Sequence, residues 1–262
     1  MINKICLNMR LSIVTATFNS EKTVRDTIES VLSQSFTDYE YLIVDGGSKD
    51  STLDIIREYE PKFNGRMRWK SERDKGIYDA MNKGFKWADG DVLMLINSDD
   101  LFARTDALEL VVTEFDKHPD TDGVYANLYY VSQNNTDSIV RVWKTGEQKS
   151  MRYGWLPAHP TFYVKRECYE KYGYFNLNYP LAADFELMLR FIEGHEIKLS
   201  YLPEYLVKMR LGGATSKNIQ NIYRQDVETI RAFKENGIPG GNIFYLFWRY
   251  LPKIKQFFRK TE

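Results

Sequence analysis

An α/β fold with a mostly parallel central sheet flanked by helices is predicted by three features of the sequence. Short, nearly continuous apolar runs recur through the first half: LSIVTA (11–16), EYLIV (40–44) and DVLMLI (91–96). Stretches with helical spacing of apolar residues separate them. Strands apolar on both faces belong to parallel sheets buried between two helical layers. The chain has 262 residues, no internal repeat and no linker rich in Pro, Gly or Ser, which suits one large domain or one domain with a small appendage.

The elements follow in order. After the strand at 11–16, Ser20 is a candidate N-cap for a helix with Val24, Ile28, Val31 and Leu32 on one face. The strand at 40–44 leads through the turn DGGSKDS to a helix that turns Leu53, Ile56 and Tyr59 inward. MRWKS (67–71) reads as a weaker third strand, and Gly76 to Trp87 as a helix with Ile77, Met81 and Phe85 four apart. DVLMLI is the most apolar strand and ends in NSDD. Past residue 120 the rhythm changes. GVYANLYYV (123–131) and SIVRVWK (138–144) read as antiparallel strands around a polar turn at Asn134 and Asn135. Thr161 to Val164 is a short strand, Phe185 to Ile192 a helix, IKLSYL (197–202) a strand and Ile219 to Phe233 a helix.

Composition narrows the function. Lys+Arg and Asp+Glu are equal at 36 each, which argues against a nucleic-acid binder that works by neutralising phosphates. Cys6 and Cys168 are too far apart for a disulfide framework and lack metal-ligand spacing, so a reducing compartment and buried, inert thiols are expected. No segment approaches the roughly 20 apolar residues of a membrane span, and MINKICLNMR does not resemble a secretory signal. A cytoplasmic location is therefore expected.

The chemistry is expected at the strand ends. LSIVTA runs into Thr17-Phe18-Asn19, EYLIV into Asp45-Gly46-Gly47-Ser48, and DVLMLI into Asn97-Ser98-Asp99-Asp100. In an open parallel sheet these ends share one edge, and ligands bind in the crevice outside it. Turn chemistry explains any one cluster; three in register point to a site. Adjacent Asp99 and Asp100 repel unless one is protonated or a cation sits between them, and hard oxygen ligands suit Mg²⁺ or Mn²⁺. The alternative is that Asp100 caps the next helix and Asp99 faces water. His118, His159 and His195 have no zinc-ligand spacing. Neither G-x-G-x-x-G nor G-x-x-x-x-G-K-[ST] follows a strand, so nicotinamide dinucleotide and phosphate-loop sites are unsupported.

Five segments, in this order and spacing, resemble family 2 glycosyltransferases of the GT-A fold, in the branch that builds capsule, colanic-acid-like or O-antigen polysaccharide. They are SIVTATFNSEKTVRDTIESVLSQSF (12–36), IVDGGSKDST (43–52), SERDKGIYDAMNKG (71–84), LINSDD (95–100) and AHPTFYVKRECYEKYGYF (158–175), followed by Ala-Asp-Phe-Glu at 183–186. The resemblance spans roughly residues 11–215. It implies a GT-A domain over 1–215, with 1–120 as the nucleotide-sugar half and 121–215 as the acceptor side. Residues 216–262 then form a helical extension. By the same resemblance, Thr15, Thr17 and Glu21 contact the nucleotide, Asp45 binds uracil or ribose, and Asp74 and Gly76 close over the base. Asn97 stands where some members carry the first acid of the metal motif, so Asp100 is expected as direct metal ligand and Asp99 toward the donor ribose or sugar. Asp184 matches the catalytic base, and its sequence-only alternative is an acid favoured at a helix N-terminus. The implied reaction is inverting transfer from a nucleotide-diphosphate sugar, a uridine one by expectation, to a glycan or polyprenyl-diphosphate-linked acceptor, with one sugar added per encounter because Q-x-x-R-W is absent.

Three further residues are weighed on their own. His159 and Trp155 are acceptor-side candidates, with core packing as the alternative. Arg210, before Leu211-Gly212-Gly213, is expected in a mobile Gly loop from which it reaches the diphosphate, against an ordinary surface role. From Gly240 the tail GNIFYLFWRYLPKIKQFFRKTE combines aromatic and basic residues, which reads as an amphipathic membrane-surface segment or as a helix packed on the domain. A peripheral position on the inner face of the cell membrane would follow from the first. Rival functions are a non-catalytic sugar- or nucleotide-binding module on the same fold, a nucleotidylyltransferase, whose Gly-rich first loop TATFNSEKT does not supply, and a peripheral membrane scaffold.

Overall fold

The computed structural model describes residues 9–212, 219–242 and 245–247. Cys6 and most of the basic aromatic tail lie outside the described residues. The first half alternates strand and helix: β1 (Leu11–Thr17), α1 (Val24–Leu32), β2 (Tyr39–Asp45), α2 (Thr52–Tyr59), β3 (Met67–Ser71), α3 (Ile77–Trp87) and β4 (Val92–Leu95). Then come β5 (Leu101–Phe102), α4 (Ala107–Lys117), β6 (Gly123–Val131), β7 (Ile139–Trp143), β8 (Tyr163–Lys165), α5 (Arg166–Tyr172), α6 (Ala183–Leu189), β9 (Leu199–Arg210) and α7 (Ile219–Glu235). The sheet order is β3-β2-β1-β4-β8-β6-β9-β5, with β7 added on β6.

Pairing within β3-β2-β1-β4 is parallel throughout, as the double-sided apolar runs require. The second half is mixed. β8 is antiparallel to both β4 and β6, β6 is antiparallel to β7 and parallel to β9, and β5 is antiparallel to β9. Strand alternation splits the core in two. Leu11, Ile13, Tyr41, Ile43 and Met94 face α1, α2 and α4, while Val14, Ala16, Leu42, Val44 and Leu95 face α3, α5, α6 and α7. α7 belongs to this second layer: Ala232 and Phe233 are buried, and Tyr245 beyond it packs edge-on against Phe233 at 4.9 Å. The described start of the C-terminal extension is therefore seated on the domain.

Several elements differ from the sequence expectation. β9 runs to Arg210, well past Pro203. Its register against β6 shifts between Tyr125 and Asn127, opposite the Tyr201–Tyr205 segment that contains Pro203, so the missing N–H falls where the ladder is already irregular. Ile77 is 50% exposed, because it lies at the start of α3 beside the strand-end loops, and Ala80 and Met81 carry the buried face instead. α4 and α5 have no counterpart in the sequence reading.

α3 packs unusually close to the sheet. A methyl on Gly84 would lie 2.3 Å from Val14 Cγ1, so the glycine permits the contact. Gly84→Ala is expected to destabilise by roughly 1–3 kcal/mol through overpacking, read as a fall of several degrees in the thermal midpoint. An unchanged midpoint would mean that α3 has room to move outward.

Candidate active site

Parallel pairing brings the ends of β1, β2 and β3 into line: Thr17 is level with Asp45, and Asp45 with Ser71. Asp45 is fully buried, and its carboxylate accepts Gly47 N and Ser48 N at 2.9 Å each, Ser71 Oγ at 2.6 Å, and Ser48 Oγ. This acid therefore builds the β2 turn. The loops are stitched to one another. Asn19, at φ 49°, accepts Lys49 N at its side chain and donates its own N–H to Ser48 Oγ. Glu21 accepts Ser51 N, and Ser20 Oγ meets Ser98 Oγ at 2.9 Å, tying the first loop to the loop after β4. Asp74 accepts Gly76 N, and a methyl on Gly46 would sit 2.4 Å from Asp74 Oδ2, so the 74–76 loop closes directly onto the β2 turn. Gly76, at φ 115°, then caps α3.

The loop after β4 holds the acidic pair. Asp99 is half-buried, while Asp100 is 1% exposed. Asp100 accepts Asn97 Nδ2 at 2.8 Å and Arg210 N at 3.2 Å, and Thr27 Oγ1 donates to its carbonyl at 2.7 Å. Burial first, then the neighbouring Asp99 charge, pushes the Asp100 carboxyl up to about 8, against the pull of Asn97 and Arg210. Asp99 thus lies on the open side, the reverse of the order expected from sequence. Arg210 is also placed differently. It ends β9, is 6% exposed, and spans from the Asp26 carboxylate to the Asp99 carbonyl at 2.7 Å. In this position it braces the acidic loop from the end of a strand, not from a Gly loop. Its Nε and Thr17 Oγ1 are buried without hydrogen-bond partners.

Thr15 is corrected outright. Inside β1 and wholly buried, it donates to Ile96 O at 2.8 Å and bonds Tyr41 OH at 3.0 Å, leaving no surface for a ligand. First-loop contacts fall to Thr17 and beyond.

Asp184 lies in the first turn of α6 and is half-buried. Its Oδ1 accepts Tyr78 OH at 3.1 Å and Phe185 N at 2.8 Å. Tyr78 is one residue into α3, directly past the 74–76 loop, so it joins that loop to Asp184. Burial and the Asp184 charge push the Tyr78 hydroxyl well above its usual range, keeping it a neutral donor. The Phe175 ring packs against Tyr78 at 5.4 Å and edge-on to His159 at 5.8 Å. Burial lowers His159 below the usual imidazole range, with Asp184 opposing. Trp155 is not part of this group. It stands edge-on to Tyr125 at 5.5 Å and donates to Thr145 O, a packing role. Sequence alone assigns no role to Tyr78, Ser71 and Asp26, although Tyr78 and Ser71 stand inside the segment SERDKGIYDAMNKG.

Two surface cavities, of about 360 and 580 Å³, are lined by other residues, among them Glu186 and Arg190 in the first and Arg104 and Tyr205 in the second. Neither is lined by the strand-end residues. Among the described residues no three His, Cys, Asp or Glu side chains form a metal cluster, and no helix is long and apolar enough to cross a membrane.

Loops gathered at the carboxyl ends of parallel strands form the ligand edge of an open α/β sheet. Residues 12–173 match the family described as Glycosyl transferase family 2, and the chain belongs to that family. It is similar to a PGL/p-HBAD biosynthesis glycosyltransferase of Mycobacterium bovis, 27% identical over 208 residues, which are 79% of each chain. An uncharacterized glycosyltransferase of Methanocaldococcus jannaschii is 27% identical over 209 residues, 77% of this chain and 70% of that one. Among solved structures, S. aureus TarS 1–349 in complex with UDP-GlcNAc superposes with a TM-score of 0.69 at 18% identity, covering 92% of this chain and 73% of that one. The mannosyltransferase PcManGT from Pyrobaculum calidifontis, in complex with GDP-Man and Mn²⁺, gives 0.60 at 16% identity, covering 93% and 70%. The chain spans 44% of the longer TarS chain. These likenesses establish the GT-A fold.

Proposed function

We propose that the protein transfers a sugar from a nucleotide-diphosphate sugar, a uridine one, to a hydroxyl of a lipid-linked polysaccharide precursor, with inversion at the anomeric carbon. The observation that carries this reading is the gathering of Asp45, Asp74 and the Asp99–Asp100 pair on one sheet edge, with Tyr78 linking that edge to Asp184. The UDP-GlcNAc complex of TarS supports the donor class.

The β2 turn built by Asp45, the 74–76 loop, Glu21 and the unsatisfied Thr17 hydroxyl hold the nucleotide in this reading. Asp99 on the open side, backed by buried Asp100, is suited to a divalent cation, Mn²⁺ or Mg²⁺; PcManGT, of the same fold, is a complex with Mn²⁺. With only two protein carboxylates there, the remaining oxygens would come from donor and water. Once bound, the cation supplies positive charge against a departing diphosphate. Arg210 holds the acidic loop in place. Asp184 takes the proton of the acceptor hydroxyl as it attacks, with Tyr78 fixing its Oδ1, and His159 lines the acceptor side. The GT-A unit over 1–215, the polysaccharide branch and membrane-surface docking through the tail belong to the same reading, which places the enzyme at the cytoplasmic membrane face.

A thermal-shift screen with UDP, GDP, UDP-glucose and UDP-N-acetylglucosamine, with and without Mn²⁺, tests it. Saturating ligand stabilises by mass action, about 2.7 kcal/mol at a hundredfold excess over Kd, or roughly 5–10 °C for a chain of this size. UDP compounds with Mn²⁺ are expected to give the largest shift. No shift with any nucleotide, metal present or absent, would reject the donor assignment.

A further inference from the structure

The helix that carries Asp184 starts without a cap of its own. Ala182 occupies the capping position and offers no side-chain acceptor. The segment just ahead of the helix is held from α7 instead. Glu228 Oε2 accepts both Leu181 N and Ala182 N, each at 2.9 Å. It does not act alone, because one face of α7 holds the whole segment leading to Asp184. Gln225 donates to Leu181 O at 3.4 Å, Arg231 donates to Asn178 O and lies 4.2 Å over the Tyr179 ring, Tyr179 OH donates to Glu235, and Asn236 donates to Glu186 Oε1 at 3.2 Å. Residues 225, 228, 231 and 235 recur at helical spacing, so one face of α7 makes these contacts, and Asn236 follows directly after its last turn. This helix lies beyond residue 173, where the family match ends.

We propose that Glu228 is the positioning residue for Asp184: a single carboxylate oxygen on α7 fixes the 181–182 backbone from which α6 and its acid start. The proposal rests on the reading of Asp184 as base. Proton transfer during attack depends on placement, and a displacement near 1 Å can lower turnover about a hundredfold. Without Glu228, two N–H groups beside a fully buried alanine lose their acceptor, and the first turn of α6 shifts to find another. An amide oxygen accepts the same two bonds, so the role needs hydrogen bonding and not the charge.

The test compares Glu228→Ala, Glu228→Gln and Asp184→Asn in the full chain. UDP release from UDP-glucose and UDP-N-acetylglucosamine with Mn²⁺, water serving as the acceptor hydroxyl, gives kcat and KM, and hydrogen exchange follows the Leu181 and Ala182 amides. Glu228→Ala is expected to lower kcat about 10- to 100-fold, with donor KM and UDP affinity within twofold, and to speed exchange at both amides at least tenfold. Glu228→Gln should stay within threefold of wild type in both readouts. Unchanged exchange in Glu228→Ala overturns the proposal, as does an unchanged kcat, or a matched loss of kcat, donor affinity and thermal midpoint. If Asp184→Asn turns over like wild type, the base reading and this proposal fall together. If Asp184→Asn is inactive while Glu228→Ala is normal, only this proposal falls.

Discussion

Asp184→Asn is expected to lose sugar transfer while keeping donor binding. The exchange is nearly isosteric. The asparagine oxygen still accepts from Tyr78 OH and from Phe185 N, so the α6 start and the Tyr78–Phe175–His159 packing have no reason to move. What disappears is the capacity to accept a proton from an attacking hydroxyl. General-base contributions run about 10²- to 10⁴-fold, equivalent to about 2.7–5.4 kcal/mol of barrier. A loss in that range is expected in kcat, with UDP affinity and thermal midpoint close to wild type. Tyr78→Phe removes only the hydroxyl that orients the acid, and a smaller loss, about three- to tenfold, should accompany it. Initial rates with UDP release as readout, alongside UDP titration, separate the two effects. Transfer within twofold of wild type in Asp184→Asn would leave the acid as a helix-start residue, the reading that spacing alone allows.

The parallel half of the fold was legible because it is buried on both faces. β1, β2 and β4 are buried at every position and filled mostly by apolar residues, and such runs survive any error in phase. The strand-end loops were legible for the same reason, since polar clusters following apolar runs mark the carboxyl edge. The second half resisted for physical reasons. β9 is interrupted by Pro203, which sequence treats as a stop and the irregular ladder tolerates. α4 is a different case: Leu108, Val111, Val112 and Phe115 have plain helical spacing and were open to a reader. Site roles split along similar lines. Residue type and order bring Asp45, Asp74, the Asp99–Asp100 pair and Asp184 to attention, but not what surrounds each. Arg210 sits before two glycines in sequence, yet its position depends on β9 reaching Asp26 and Asp99 from 184 and 111 residues away. Thr15 and Thr17 look alike in TAT and both are buried in β1, and only the folded chain shows that the Thr15 hydroxyl has partners while that of Thr17 has none. Glu228 carries no local signal, because its partners are backbone groups of another helix.

Raising the pH from 6.5 to 8 is expected to destabilise the EDTA-treated protein, and Asp100→Asn to remove most of that slope. In the folded chain the Asp100 carboxyl holds its proton up to about 8, because ionisation would put charge into a buried site beside Asp99. The unfolded chain gives up the same proton at the ordinary aspartate value, about 3.8. Between these limits the folded state binds more protons, so this contribution is fully present below about pH 4, declines as the pH rises, and is gone above about 8. The slope is on the order of 1 kcal/mol per pH unit, and a few degrees in midpoint per unit. Glu40, Glu58 and Asp106, lowered by hydrogen bonds and ion pairs, act only in the acid range. His159 and His195, lowered by burial, oppose the slope until the unfolded imidazoles have lost their protons, and they do so equally in wild type and Asp100→Asn, so the difference between the two proteins isolates Asp100. Asparagine at position 100 reproduces the neutral acid, with Asn97 free to present its oxygen by an amide flip. A divalent cation favours the ionised form, so the stabilisation that Mn²⁺ with UDP adds should grow toward pH 8 in wild type and stay small and flat in Asp100→Asn. The pH slope without metal depends only on the buried proton, and the growth with metal depends on a cation taking its place. A flat wild-type midpoint would refute the first, and an equal metal response in both proteins the second.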